Sequence, residues 1–153
     1  MSTRYFESQA KGIVFATLET GDMLLECMRE LIREANIRNG VLVTGIGSLS
    51  KARIHTVETI DHPVKELFLD IPGPLEVTNF NGIIANYEPH VHITMMNPEG
   101  KFYGGHLEDG CQILTLSEFS IMRIPDLNLQ RHIVPDRSIY KLLDEEKAPP
   151  LDK

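Results

Sequence analysis

The chain has 153 residues, 42% of them hydrophobic and 24% charged, with a formal net charge of −7. That length holds one domain with a full core and is cramped for two, so residues 1–153 read as one domain with a core over about 12–124 and a C-terminal extension over 125–153. No apolar run approaches the ~18 residues that span a bilayer, no signal-type opening is read, and two cysteines, Cys27 and Cys111, make no disulfide scaffold; the expectation is a reducing, cytoplasmic setting, with direct nucleic-acid binding disfavoured by the acidic balance.

Residues 12–20 carry Ile13, Val14, Phe15 and Leu18 and read as a first strand, after which Thr20-Gly21-Asp22 supplies a break and a capping residue. From 23 to 35, Leu24, Leu25, Met28, Leu31, Ile32 and Ala35 form one stripe at a 3.6-residue period, which predicts an amphipathic helix lying against a sheet. Cys27 falls in this helix and Cys111 at the start of a later strand, so both read as buried thiols. Residues 36–40 end the helix, with Gly40 the candidate left-handed position. Arg29, Arg33 and Arg38 interleave with Glu26, Glu30 and Glu34, the pattern of a solvated face with opposite charges paired at helical spacing.

Beyond the helix the chain reads as β-rich. Val41-Leu42-Val43-Thr44 is a short buried strand and Gly45-Ile46-Gly47-Ser48 a tight turn; the latter lacks the spacing of a phosphate loop or dinucleotide fingerprint. Residues 51–58 alternate, with Ala52, Ile54 and Thr56 on one face and Arg53, His55 and Val57 on the other. Residues 67–71 and 75–86 read as strands separated by Pro72-Gly73-Pro74, residues 90–97 and 101–107 as a hairpin, and 111–124 as a long central strand ending at Pro125. Residues 139–143 read as a short strand or turn packing on the body, and 144–150 as frayed. Connections this short exclude most crossover helices. The fold class is therefore α+β: a largely antiparallel, twisted sheet with one main flanking helix.

The hairpin carries the chemistry. His90 and His92 are alternate residues of one strand and share a face. If Pro98-Glu99-Gly100 closes a three-residue loop, pairing sets Met96 against Phe102, Thr94 against Gly104 and His92 against His106. Three imidazoles then converge. Slipping the register by one residue would turn His106 away, and Gly104-Gly105 argues for a bulge inside the second strand. Three neutral histidines with an open fourth position is a common zinc arrangement, at about 2.0–2.1 Å per nitrogen. On the same register Glu108 lies opposite His90. Glu108 and Glu88 are the candidate catalytic carboxylates, as ligand, as orienting partner of an imidazole, or as general base; for either, an exposed charge is the common outcome. Cys111 follows a turn that carries it away from the site. His55, His62 and His132 have no partner spacing and read as surface residues. A cupin-type metal strand needs a glutamate four residues after its second histidine, where this chain has Met96.

Gly45-Ile46-Gly47-Ser48-Leu49-Ser50, Pro89-His90-Val91-His92-Ile93 and Gly104-Gly105-His106-Leu107-Glu108-Asp109-Gly110-Cys111 together resemble the plants-and-prokaryotes-conserved domain (PPC or PCC), over about residues 12–124. The resemblance implies one domain with an antiparallel sheet and flanking helix, assembled as a homotrimer, with His90, His92 and His106 able to bind a metal, zinc first among them, one per subunit. In plant relatives the domain follows an AT-hook with an Arg-Gly-Arg-Pro core, and this chain has no such core. Three functions are then expected to compete. The first is a cytoplasmic, trimeric metal-binding domain that recognises a small molecule or a protein partner. The second is a zinc hydrolase using water activated at the open metal position. The third is a DNA-associated regulator working through a partner.

Overall fold

In the computed structural model, which describes residues 4–7, 12–134 and 139–145, the chain builds one seven-stranded sheet, one helix and a separate hairpin. The strands are β1 (Arg4–Glu7), β2 (Ile13–Glu19), β3 (Gly40–Val57), β4 (Glu66–Ala85), β5 (Glu88–Met96), β6 (Phe102–Leu107) and β7 (Gln112–Arg123), and the helix is α1 (Leu24–Glu34). Strands β8 (Leu129–Val134) and β9 (Ile139–Asp144) form the hairpin. The order in the large sheet is β1-β2-β7-β3-β4-β5-β6, and every pairing is antiparallel. The α+β class read from the sequence is what the structure shows. The fraying expected over residues 144–150 does not begin at 144, where Asp144 ends β9 opposite Leu129 and Glu145 N–H donates to Asn128 O (3.0 Å); the rest of that stretch lies outside the described residues.

Helix α1 buries the predicted stripe, Leu24, Leu25, Met28, Leu31 and Ile32, together with Cys27, against the sheet. Its first turn is stitched to the start of β7: Leu24 N–H donates to Cys111 O (2.9 Å), Ile113 N–H to Asp22 O (2.9 Å), and Gly110 N–H to Glu26 Oε1 (2.9 Å). Asp22 does not cap the helix. Its carboxylate accepts from Glu19 N–H in the preceding turn (3.0 Å), and Met23 occupies the N-cap without a side-chain bond. Nor does Gly40 end it. Asn36 takes the left-handed position (φ 51°), while Asn36 N–H bonds Arg33 O and Ile37 N–H bonds Ile32 O, the paired bonds of a Schellman motif.

Two glycine-rich stretches read as turns lie inside strands instead. Gly45-Ile46-Gly47-Ser48 is the middle of β3, which runs 18 residues and pairs with β4 on one side and β7 on the other. Gly45 is there because the fully buried Phe80 ring occupies the space a side chain would need. Pro72-Gly73-Pro74 likewise does not split β4: Leu49 pairs with Leu75 and Lys51 with Pro72, and the mismatch is absorbed as a bulge in β4, where Gly73 and Pro74 stand opposite Ser50. A proline lacks the N–H for a ladder bond, and a bulge is where a sheet tolerates that.

Strand β6 pairs with β5 and, at its far end, also with β3, through Ile54↔Leu107 and His55↔His106. Strands β3, β4, β5 and β6 thereby close on themselves as a small barrel. Gly105 permits the closure, since a Cβ at that position would sit 2.5 Å from the His55 carbonyl oxygen. Here the tandem glycines allow close strand approach in place of the bulge they suggest in isolation.

Candidate metal centre

The hairpin forms in the predicted register: Met96↔Phe102, Thr94↔Gly104 and His92↔His106. Its loop is closed by Asn97 N–H to Lys101 O (3.0 Å) and Lys101 N–H to Asn97 Oδ1 (2.8 Å), with Gly100 at φ 80°. Side chains of β5 alternate strictly, with Val91, Ile93 and Met95 in the core and His90, His92 and Thr94 outward. His90 and His92 therefore stand side by side with rings nearly parallel (interplanar angle 10°), and His106 meets both edge-on at 80° and 83°. One nitrogen from each of the three lies within 4.8 Å of the other two. His90 Nε2 and His92 Nε2 are 3.3 Å apart.

These residues fit a zinc ion. Two nitrogens at about 2.05 Å from one tetrahedral centre are separated by about 3.3–3.4 Å, which matches the His90–His92 spacing. The protonation state suits it as well, because only a neutral imidazole offers a lone pair. Burial, Arg131 and the neighbouring imidazoles hold the His90 ring below its ordinary range. Burial first, then His90, His55, His92 and Arg131, pull His106 down to about 4.

The sequence reading missed His55. It is no surface residue: β3 pairs it directly with His106, and the two rings stack at 4.4 Å. Its Nδ1–H donates to Glu108 Oε1 (2.6 Å), and its Nε2 lies 3.8 Å from Glu66 Oε1. His55, His106 and Glu108 form a second cluster of potential ligands sharing His106 with the first. Glu108 itself does not face His90. Strand β6 has crossed to β3 by that point, so Glu108 N–H bonds Arg53 O (3.1 Å), and His90 pairs with Ile83 of β4. Glu88 turns the other way. Its carboxylate accepts from Arg29 Nε (2.9 Å), and Arg29 also holds Asp109. That arginine thus leaves the expected helix-face pairing for a bridge from α1 to β5 and the β6–β7 turn. Cys111 is fully buried between the N–H and carbonyl of Arg53, and burial raises its thiol to about 11. His62 is exposed, and His132 lies 3.5 Å from Glu145 on the hairpin.

An open cleft of about 530 Å³ adjoins His90 and His92, walled by Val57, Ile83, Tyr140 and Leu142 and by Arg131 of β8. Arg131 pins the β8–β9 hairpin across this edge, donating from Nη1 to Glu88 O (3.0 Å) and from Nη2 to Ile83 O (2.6 Å). No helix of the described residues is long and apolar enough to cross a membrane.

Residues 5–125 match the model of the Plants and Prokaryotes Conserved (PCC) domain, and the chain belongs to that family. Among solved structures it is similar to a Bacteroides thetaiotaomicron protein carrying a provisional DNA-binding description (TM-score 0.83, 16% identity, 95% of this chain and 99% of that one). It is also similar to the metal-containing protein AF0104 of Archaeoglobus fulgidus (TM-score 0.75, 19% identity, 92% and 99%). At these identities the likeness shows the fold. Among curated proteins it is 28% identical over 123 residues to the bifunctional protein GlmU of Synechococcus sp. strain JA-2-3B'a(2-13), covering 80% of this chain and 18% of that protein. The chain spans about a fifth of the length of the curated relatives it matches.

Proposed function

We propose that this PCC-domain chain is a homotrimeric metal-binding protein that holds one zinc ion per subunit on His90, His92 and His106, beside a cleft that receives a small molecule. The observation that carries this reading is the 3.3 Å spacing of the His90 and His92 Nε2 atoms with a nitrogen of His106 within 4.8 Å of both. The Archaeoglobus neighbour, described as metal-containing, agrees with it. Bound zinc would supply a Lewis acid with an open coordination position. The chain's own contribution is to orient three imidazoles on two paired strands.

Assembly is supported by the outer face of β2, β7 and β3. There Phe15, Val43, Ile46, Leu116 and Met122 are 40–51% exposed on the side of the sheet away from the core. Five large apolar side chains on one outer face, with Glu118 among them, are the kind of surface that association covers. The net charge of −7 gives no support to direct binding of DNA phosphates.

Elemental analysis of purified protein tests the metal: about one zinc per chain is expected, with most of it lost in His92→Ala, and equal content in both would refute the ligand set. Light scattering tests assembly, since three copies of a 17.3-kDa chain are expected and a monomer at micromolar concentration overturns the trimer.

The His55–Glu108 pair favours a second reading, metal-dependent hydrolysis. Its 2.6 Å contact places a carboxylate-oriented imidazole against His106, the arrangement of a positioned base. A panel of ester, lactone and phosphate substrates should then show turnover that chelator abolishes and Glu108→Gln lowers at least tenfold. Absence of chelator-sensitive turnover removes this reading and leaves binding.

A further inference from the structure

We infer that the cleft beside His90 and His92 is a receptor for a small molecule with one carboxylate head and an apolar body, and that Arg131 is the residue that selects the carboxylate. This deepens the proposal of a small-molecule cleft and rests on it. Three features of the cleft converge on that ligand.

The first is an arginine without a carboxylate partner. Arg131 is half-buried, and among the described residues its side chain donates to two backbone carbonyls, Glu88 O and Ile83 O. Among the described residues no carboxylate lies within ion-pairing distance of it. Burial disfavours its charge, and the field of Glu88 offsets this only in part, since the Glu88 carboxylate is itself engaged by Arg29. A guanidinium has five N–H donors, and two carbonyls leave three of them for a ligand. The same two bonds fix the guanidinium plane, so little side-chain freedom remains to be lost when an anion binds. Paired donors in one plane suit a carboxylate.

The second feature is the wall. Val57, Ile83, Tyr140 and Leu142, from β3, β4 and β9, are 39–68% exposed and face a common cleft. Covering them removes apolar surface from water, which favours a ligand carrying a hydrocarbon or aromatic group. The third is charge balance. Glu66, the carboxylate among the lining residues, sits beside His55, so in the metal-free protein one cation, Arg131, and one anion border the space. A second carboxylate on the ligand would find no arginine to meet it and would be repelled by Glu66, which sets the preference for a monoanion.

The probes are 3-phenylpropionate and its neutral analogue 3-phenyl-1-propanol, titrated calorimetrically into the full chain at pH 7.5. Both chelator-treated and zinc-loaded protein are used, with zinc content measured on the same samples. In the chelator-treated protein the acid is expected to bind at least tenfold more tightly than the alcohol, and Arg131→Gln is expected to reduce the acid to the affinity of the alcohol. Equal affinities in that wild-type form, no binding of either probe, or a gap that survives there in Arg131→Gln each overturn the inference. If Arg131→Gln does not fold, the wild-type ratio decides, read with the Arg131 Nε–H resonance, which must shift with the acid and not with the alcohol. Protein that takes up no zinc yet keeps the acid–alcohol gap refutes the metal centre and leaves the carboxylate receptor standing; zinc uptake without the gap does the reverse.

Discussion

Gly45→Ala is expected to destabilise the fold by about 3 kcal/mol, although it adds a single methyl group in a strand. A Cβ built on Gly45 lies 2.1, 2.3 and 2.4 Å from three ring carbons of Phe80. Carbon atoms rest at about 3.5–4.0 Å, so the ring would have to retreat by more than about 1 Å. It has nowhere to go: Phe80 is fully buried and is tilted against Phe119 at 5.9 Å. Overpacking of a filled core costs about 1–3 kcal/mol, and an obstruction this direct belongs at the upper end. The remedy follows from the same geometry. Phe80→Leu alone should cost about 1–2 kcal/mol as a large-to-small change, but in the Gly45→Ala background it removes the obstructing ring atoms. The double variant should therefore be less destabilised than the sum of the singles by at least about 1 kcal/mol. Urea unfolding at one fixed protomer concentration, which keeps any assembly term constant, measures all four corners of the cycle. Gly45→Ala within 0.5 kcal/mol of wild type, or additive singles, would show that the close packing of β3 on β4 has been misjudged.

Acid should weaken the metal-free protein in a window set by His106. Its folded-state value of about 4 lies below the ordinary 6.5, so the unfolded chain binds the extra proton between those limits. Stability from this group is full above pH 6.5, falls as pH drops towards 4, and is flat below. That interval converts to about 3 kcal/mol, and solvent screening of a half-exposed ring lowers it to about 1–2; His90, shifted the same way, adds to it. Urea midpoints at pH 7, 6 and 5 in chelator should fall more steeply for wild type than for His106→Gln, and parallel profiles would refute the assignment.

Much of the site was readable because its signals are local. The Pro98-Glu99-Gly100 loop and the alternation of β5 set the register, and the register alone brings His92 and His106 together. The helix was readable because one stripe at one period is buried on one face. His55 was not, since its partner lies 51 residues away and the β3–β6 pairing leaves no periodic trace; the one hint is Gly105, whose missing side chain makes room for the His55 carbonyl. The same limitation explains the misplaced turns. Gly45 and Gly73 answer to tertiary neighbours, the Phe80 ring and the Leu49–Ser50 backbone, whereas in isolation glycine signals a change of direction. Glu108 was placed by extending a ladder past the point where β6 leaves β5 for β3. The Arg29 bridge depends on the β6–β7 turn coming round to α1, which no spacing in the helix records.

The double pairing of β6 has a mechanical corollary. His106 is gripped from both sides, by β5 through His92 and by β3 through His55, so its backbone cannot drift without tearing two ladders. An ion held by His90, His92 and His106 would tie β5 to β6, and through the β6 ladder would bear on β3, whose His55 lies far back along the chain. Occupancy and barrel closure would then rise and fall as one event, and amide exchange along β6 would report on both.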